Sequence, residues 1–372
     1  MIKSFYKVAI VALATIFVVL NIAKATIRTV DNKYPSIGQY SNIQTALNTA
    51  NNGDTIFVYG STNSYQGFIV TKPVTIIGSG WNSDQFVKST NINSSATISH
   101  TNTQLPTRLI GLAGFFFIEV NADNVWLERN QLFSILVDSI HSNINIIANN
   151  IQTGGGSYGI NIQSRNTINI RNNIINNSAK STGDTRKFEG TNSLGINAIN
   201  SSILVTNNFI NTDYAITTSS GNCPVNPNYG FNFTQCTANV EYNIVAGGFC
   251  SDATFKYNIS RDNYYYVRQY GGGCCCSTWP TGNWSPFPLI NGNQAGIDLN
   301  SIFISDTDFH IKSNSPASAE NNGGTEVGIY GGSTPFTDKG YSNLPLITLY
   351  QFDGTGSKNT GLKVKIQAKS IK

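Results

Sequence analysis

Short runs in which apolar and polar residues alternate recur through the middle of the chain, each running into asparagine. NINIIANNI at 143–151 returns as TINIRNNII at 167–175 and as SILVTNNFI at 202–210. Weaker copies are NVWLERN at 124–130, NVEYNIV at 239–245 and ATFKYNI at 253–259. Alternation with a period of two sets one face of a strand against a core and the other outward. Asn tolerates the left-handed backbone that a tight corner needs, and its amide reaches the Asn of a neighbouring repeat. A second alternating strand precedes these copies: SILVD at 134–138, GINIQ at 159–163, GINAI at 195–199 and AITTS at 215–219. Ile135 to Ile160 is 25 residues, Ile160 to Ile196 is 36, and Ile196 to Ile216 is 20. The long step accommodates a loop at about 178–192, rich in Ser, Thr, Gly and charge. Several strands per repeat at this period predict a solenoid, in which stacking places Ile over Ile because no coil buries its own apolar face. The Asn and Gly density disfavours a helical solenoid. A β-sandwich gives alternating strands without one motif repeating at one phase.

The ends differ from the middle. Residues 43–53 read as a short amphipathic helix, with Ser41 as its N-cap and Gly53 ending it. Strand-like runs follow at 54–59, 67–70 and 74–78. A helix there covers the open end of the apolar column and blocks edge pairing. At the other end, 344–350 and 361–368 read as two strands joined by a Gly/Ser turn.

Composition adds a destination. The chain of 372 residues is 40% hydrophobic and only 12% charged, so its polar surface must come from Asn, Ser, Thr and Gly. Its net charge of +4 is spread out, with no compact Lys/Arg patch, which argues against a nucleic-acid partner. Lys3 and Lys7 precede an apolar run at 8–23, and Ala23-Lys24-Ala25 has the form of a cleavage site. Residues 1–25 therefore read as a secretory signal, with a retained anchor as the alternative. No later stretch is apolar enough to span a membrane, and the mature chain is expected to be secreted or held at the cell surface as a monomer. Export permits disulfides. Cys223 and Cys236 bracket a Pro/Asn/Gly-rich loop and are the expected pair, whereas Cys250, Cys274, Cys275 and Cys276 have no assignable partners. No CxxC pair with matching His is present, so neither a metal nor another cofactor is expected.

The helix, Gly53-Asp54-Thr55, a strand, and then TKPVTIIG at 71–78 resemble the first coils of right-handed parallel β-helix proteins of the pectate-lyase-like superfamily. The Asn-turn repeats resemble the coils of that superfamily. FHIKSNSPA at 309–317 with VGIYGG at 327–332 is similar to the closing coil of its bacterial secreted members. The resemblance covers roughly 30–335. It implies an all-β, single-stranded right-handed parallel β-helix with an N-terminal helical cap over 26–342, followed by a strand pair or tail over 343–372. It also implies polysaccharides as the usual substrate class.

Candidate chemistry is sparse. Lyases of this fold need a base beside acidic cation ligands, and hydrolases need two carboxylates facing one bond. Aligning the four strands gives one outward row of Leu136, Asn161, Asn197 and Thr217, and a second of Asp138, Gln163, Ile199 and Ser219. One carboxylate in two rows argues against both chemistries. Asp184, Arg186, Lys187 and Glu189 on the inserted loop, and Arg165 and Arg171 on one repeat, read as solvated. Asp306 and Asp308 suit a turn, and His100, His141 and His310 lack metal-type spacing. The best binding hint is aromatic: Tyr264, Tyr265, Tyr266, Tyr270, Trp279 and Trp284 crowd a Gly/Cys/Pro-rich loop, and aromatic rings stack on the apolar faces of sugars. The expected function is an exported, non-enzymatic surface protein that binds a polysaccharide or cell-surface glycan through Asp138, Asn161, Gln163, Asn197, Trp279 and Trp284. The alternative is a polysaccharide lyase or glycoside hydrolase.

Overall fold

The computed structural model describes residues 25–33, 37–81, 88–138, 140–153, 158–163, 166–176, 194–212, 229–234, 236–246, 248–250, 253–261, 264–267, 283–338, 340, 346–352 and 364–369. The chain is all-β apart from one α-helix and two short 3-10 turns among those residues. Its strands fall into two ten-stranded sheets, one six-stranded sheet and a two-stranded pair. Successive strands visit the three large sheets in rotation. Phe117–Asn121 lies in sheet 1, Val125–Glu128 in sheet 2 and Gln131–Leu132 in sheet 3, before Ser134–Val137 returns to sheet 1. Each return pairs in parallel with the strand one coil earlier. The result is a solenoid-like stack of parallel sheets.

The alternation read from sequence explains the packing. Ile118, Ile135, Ile160, Ile196 and Phe231 stand in register on sheet 1, facing inward and buried. Leu127, Ile146, Ile170, Val205 and Val240 do the same on sheet 2, and Leu132, Ile151, Ile175, Ile210 and Val245 on sheet 3. Each buried Ile contributes about 1.5–3 kcal/mol of transfer free energy. The fourth sheet-1 repeat is not the run at 215–219, which lies outside the described residues. Tyr229–Thr234 pairs with Leu194–Ile199 instead, so Phe231, 35 residues after Ile196, fills the place expected for Ile216. The Phe pair at 231 and 233 fills the interior with more apolar volume than Ile216 and Thr218 would supply.

The corner between sheets 2 and 3 carries seven stacked asparagines: Asn130, Asn149, Asn173, Asn208, Asn243, Asn258 and Asn293. From Asn149 onward, each Oδ1 accepts from both the backbone N–H and Nδ2 of the Asn one coil before, at 2.8–3.2 Å. All seven are buried. The left-handed residue is the one just before the ladder Asn in most coils: Arg129, Ala148, Asn172, Asn207, Tyr242 and Tyr257. Arg, Ala and Tyr there bear the steric cost of that conformation, and the buried amide ladder offsets it.

Helix α1, Ile43–Thr49, sits over the first coils as expected, with two changes at its ends. Its N-cap is Asn42, not Ser41: Asn42 Oδ1 accepts from the N–H of Gln44 at 2.7 Å and of Thr45 at 3.3 Å. It stops at Ala50 rather than Gly53, where Lys72 Nζ caps the Ala50 carbonyl at 2.7 Å.

Residues 299–340 do not close the stack as a last coil. Sheet 1 instead ends in Asn283–Pro286, antiparallel to Tyr264–Val267; the chain then adds one more corner, with Gln294 paired in parallel to Ile259, before it runs back along sheet 3 as a strap. The reason is in the sequence of sheet 3. Its outward positions Ile174, Phe209, Ile244 and Ile259 are apolar and buried beneath Ile302, Phe303, Val327, Ile329 and Phe336. The Gly328 N–H donates to the Tyr242 carbonyl at 2.8 Å, and Asn207 Nδ2 to Glu326 O at 3.0 Å. Asn172 Nδ2 donates to Ile329 O at 2.8 Å, and Phe336 reaches Trp81 with ring centroids 5.6 Å apart. The expected tail pair is present, Leu346–Phe352 antiparallel to Val364–Lys369. Residues 1–24 lie outside the described residues. Among the described residues no helix is long and apolar enough to cross a membrane.

Candidate functional site

Outward positions of sheet 1 line up coil by coil because its strands pair without slippage from Phe68–Val70 to Tyr229–Thr234. One row runs Ile69, Thr97, Glu119, Leu136, Asn161, Asn197, Asn232. Asn161 and Asn197 meet as the sequence alignment predicts: Asn197 Nδ2 donates to Asn161 Oδ1 at 2.8 Å. Asn232 takes the position expected for Thr217, and Thr234 that expected for Ser219, for the reason given above. In the second row Asp138 follows its strand, with its N–H on Val120 O at 3.2 Å, and exposed Gln163 follows in the next coil. Sheet 1 begins three strands before the four aligned in sequence, at Phe68–Val70, Ala96–Ser99 and Phe117–Asn121. Glu119 on the last of these adds a second carboxylate beside Leu136 and one coil from Asp138. Asn121 Nδ2 holds Glu119 Oε1 at 3.0 Å.

Of the expected aromatic residues, Trp279 lies outside the described residues, and Trp284 is placed only as a member of the antiparallel strand Asn283–Pro286. Phe115 and Phe117, 82% and 51% exposed, stand at the entry edge of sheet 1. Phe117 packs on Phe133 with ring centroids 4.9 Å apart, which fixes its orientation. Their signal in sequence was GFFFIEV at 114–120, where Phe116 and Ile118 point in and the flanking Phe residues point out.

At the exit edge a groove of about 590 Å³ crosses the corners of successive coils. It is lined mainly by uncharged polar residues, among them Thr71, Ser99, Asn102 and Asn121, and by His100, Asp123 and His141. The histidines, separated by 41 positions in sequence, come together because each follows a sheet-1 strand at the same corner. His141 Nδ1 lies 3.5 Å from Asp123 Oδ1, and that oxygen also accepts the Ser142 N–H at 2.7 Å. The His141 N–H donates to Asn166 Oδ1 at 2.6 Å, so side chains continue the ladder where strands end. His100 Nε2 meets Thr107 Oγ1 at 2.6 Å. Burial is the largest influence on His100 and holds its pKa below the ordinary value, against the opposing charge of Asp123.

The remaining candidates separate. His310 stacks on Tyr330 at 4.0 Å within the strap, and its Nδ1 meets Asp308 Oδ1 at 2.7 Å. The Asp306–Asp308 run is a turn, as expected, with Ser305 Oγ accepting the Thr307 and Asp308 N–H groups. Among the described residues no group of three or more His, Cys, Asp or Glu is arranged to hold a metal ion. Cys236 is buried; Cys223, the triple cysteine at 274–276, Arg165 and the charged loop at 184–189 lie outside the described residues.

No family model matches the chain, and no curated protein matches it. Among solved structures, "Geobacillus virus E2 - ORF18" aligns at 13% identity over 60% of this chain and 57% of its own length, with a TM-score of 0.19. The chain thus spans little more than half of that structure, and at that TM-score the likeness carries no argument about fold or function.

Proposed function

We propose that the chain is an exported right-handed parallel β-helix of the pectate-lyase-like type that binds a glycan along the outward face of sheet 1. Right-handed crossovers are the near-universal solution for parallel strands joined in this way. The observation that carries the reading is the in-register row in which half-buried Asn161 is held by buried Asn197, flanked at one edge by the exposed rings of Phe115 and Phe117. Stacked amides offer donors and acceptors to sugar hydroxyls, and rings offer a face to the apolar side of a pyranose. A glycan array probed with the mature chain, followed by calorimetry on the best ligand, tests it. Asn161→Ala/Asn197→Ala and Phe117→Ala are each expected to weaken binding roughly tenfold, about 1.4 kcal/mol, with circular dichroism unchanged. An array without any bound glycan removes the proposal.

A second reading is favoured by Glu119 and Asp138, on neighbouring coils and two positions apart in register. Strand spacing puts their Cα atoms roughly 8 Å apart, close enough for the two side chains to reach opposite sides of one glycosidic bond. Release of reducing ends from a polysaccharide panel, abolished in Glu119→Gln and Asp138→Asn, is the expected sign of a glycoside hydrolase. Activity that survives both substitutions excludes this pair.

A further inference from the structure

Where the strap crosses sheet 3 it leaves two adjoining hollows of about 370 and 360 Å³, both within the usual range for small-ligand sites. Thr307 and Phe309 line both, so the Phe309 ring forms a ridge between them. That ridge is rigid: Phe309 packs against Phe209 at 4.9 Å and Phe303 at 5.4 Å, and those two rings meet each other at 4.9 Å. The first hollow adds Tyr330, stacked on His310, and Asp308. The second adds Asp306 and Asn176. The Asn176 Oδ1, however, is turned away from the opening and buried.

We infer that these hollows form a saccharide-binding site of their own, for two adjacent units of a neutral oligosaccharide seated on either side of Phe309. The polar groups decide the class of ligand. The carboxylates of Asp306 and Asp308 accept hydrogen bonds, while Ser305, Thr307 and Asn300 beside them can donate as well as accept, a mixture that sugar hydroxyls match. The same carboxylates repel a uronate. Aromatic rings between the acceptors match the apolar faces of successive pyranose rings. The site lies on a different sheet from the row that carries the proposed function, and does not depend on it.

Calorimetry on the mature full-length chain, with hexasaccharides of β-1,4-linked glucose and mannose and of galacturonic acid, tests the site. The expected result is binding of at least one neutral hexasaccharide, with galacturonate at least tenfold weaker. Phe309→Ala is expected to reduce neutral binding at least tenfold. Asp306→Ala, at an exposed turn position that folding tolerates, is expected to reduce it several-fold. Binding unchanged in both variants overturns the site, as does the absence of binding by both neutral hexasaccharides or equal binding of galacturonate. Loss of binding in Asn161→Ala/Asn197→Ala with full retention in the strap variants assigns the ligand to sheet 1 and also overturns it.

Discussion

The side-chain amide of Gln44 pairs with the backbone of Ile69 as a neighbouring strand would: Oε1 accepts the Ile69 N–H at 2.7 Å and Nε2 donates to the Ile69 carbonyl at 3.3 Å. Phe68–Val70 is the edge strand of sheet 1, and an open parallel edge is a template for another chain. Gln44→Ala removes these two exposed hydrogen bonds and a third to Asn48 Oδ1, at a cost of about 1 kcal/mol each. The larger effect is expected in association. Light scattering after size exclusion should show more concentration-dependent self-association than in the parent chain. Identical profiles mean that α1 guards the edge without its glutamine.

The Asn ladder predicts a sharp contrast within one dipeptide. Asn149 and Asn150 are chemically identical, yet Asn149 is fully buried and Asn150 faces outward from sheet 3. Asn149→Ala takes its side-chain partner from the Leu127 carbonyl and the Asn130 N–H in a dry interior, and leaves Asn173 Oδ1 with one of its two donors, the N–H of residue 149. Each unpaired buried group costs about 1–3 kcal/mol, so urea unfolding should show a loss of at least about 2 kcal/mol. Asn150→Ala should stay within about 1 kcal/mol, since it loses only surface contacts. Equal losses at both positions refute the ladder as a stabilising element.

What was legible in the sequence follows from these two devices. Burial imposes a period of two, so Ile135 over Ile160 over Ile196 was readable, and Asn pairs mark the corner that a buried amide must satisfy. The path of the strap was not readable, because nothing local in 309–332 distinguishes an added coil from a segment lying along the stack. The clue lay elsewhere, in the second apolar residue of INNII-type turns. Ile174 and Phe209 point outward and require a cover. His100 and His141 escaped for a related reason: metal-type spacing is a short-range criterion, whereas a solenoid brings together residues one or two coils apart.

Acid should loosen the chain in two stages with the same sign. His100 titrates below its ordinary value of 6.5, chiefly through burial, so the unfolded chain binds its proton more readily than the folded chain. Stability from this group is complete above 6.5 and falls as pH drops through it. Asp54 is the second stage. Burial opposes its charge, but the Asn51 and Thr26 N–H groups and Arg28, 3.1 Å away, outweigh it and hold the carboxyl below 3.8. The stability that Asp54 contributes is present above 3.8 and is lost as pH falls through its lower folded value. Thermal melts from pH 8 to 3 should decline first near 6.5 and again below 4. His100→Gln should flatten the first step and Asp54→Asn the second; an unchanged first step in His100→Gln contradicts this assignment.

The strap can be lifted without dismantling the stack, and Gly328 is the place to do it. Its φ is +95°, a conformation that L side chains rarely adopt, and a methyl added there would stand 2.7 Å from Ile244 Cδ1. Gly328→Ala therefore strains the backbone by about 1–2 kcal/mol and adds a clash at the point where the Gly328 N–H bonds the Tyr242 carbonyl. The interior columns do not involve this residue. The expected outcome is local release: stronger binding of an apolar dye, as Ile174, Phe209 and Ile244 lose their cover, and faster amide exchange across 326–336. Exchange in the sheet-1 strands from Phe117–Asn121 to Tyr158–Ile162 should stay slow. Equal acceleration in both regions means that strap and coils unfold together, which makes the strap part of the cooperative core instead of a cover over it.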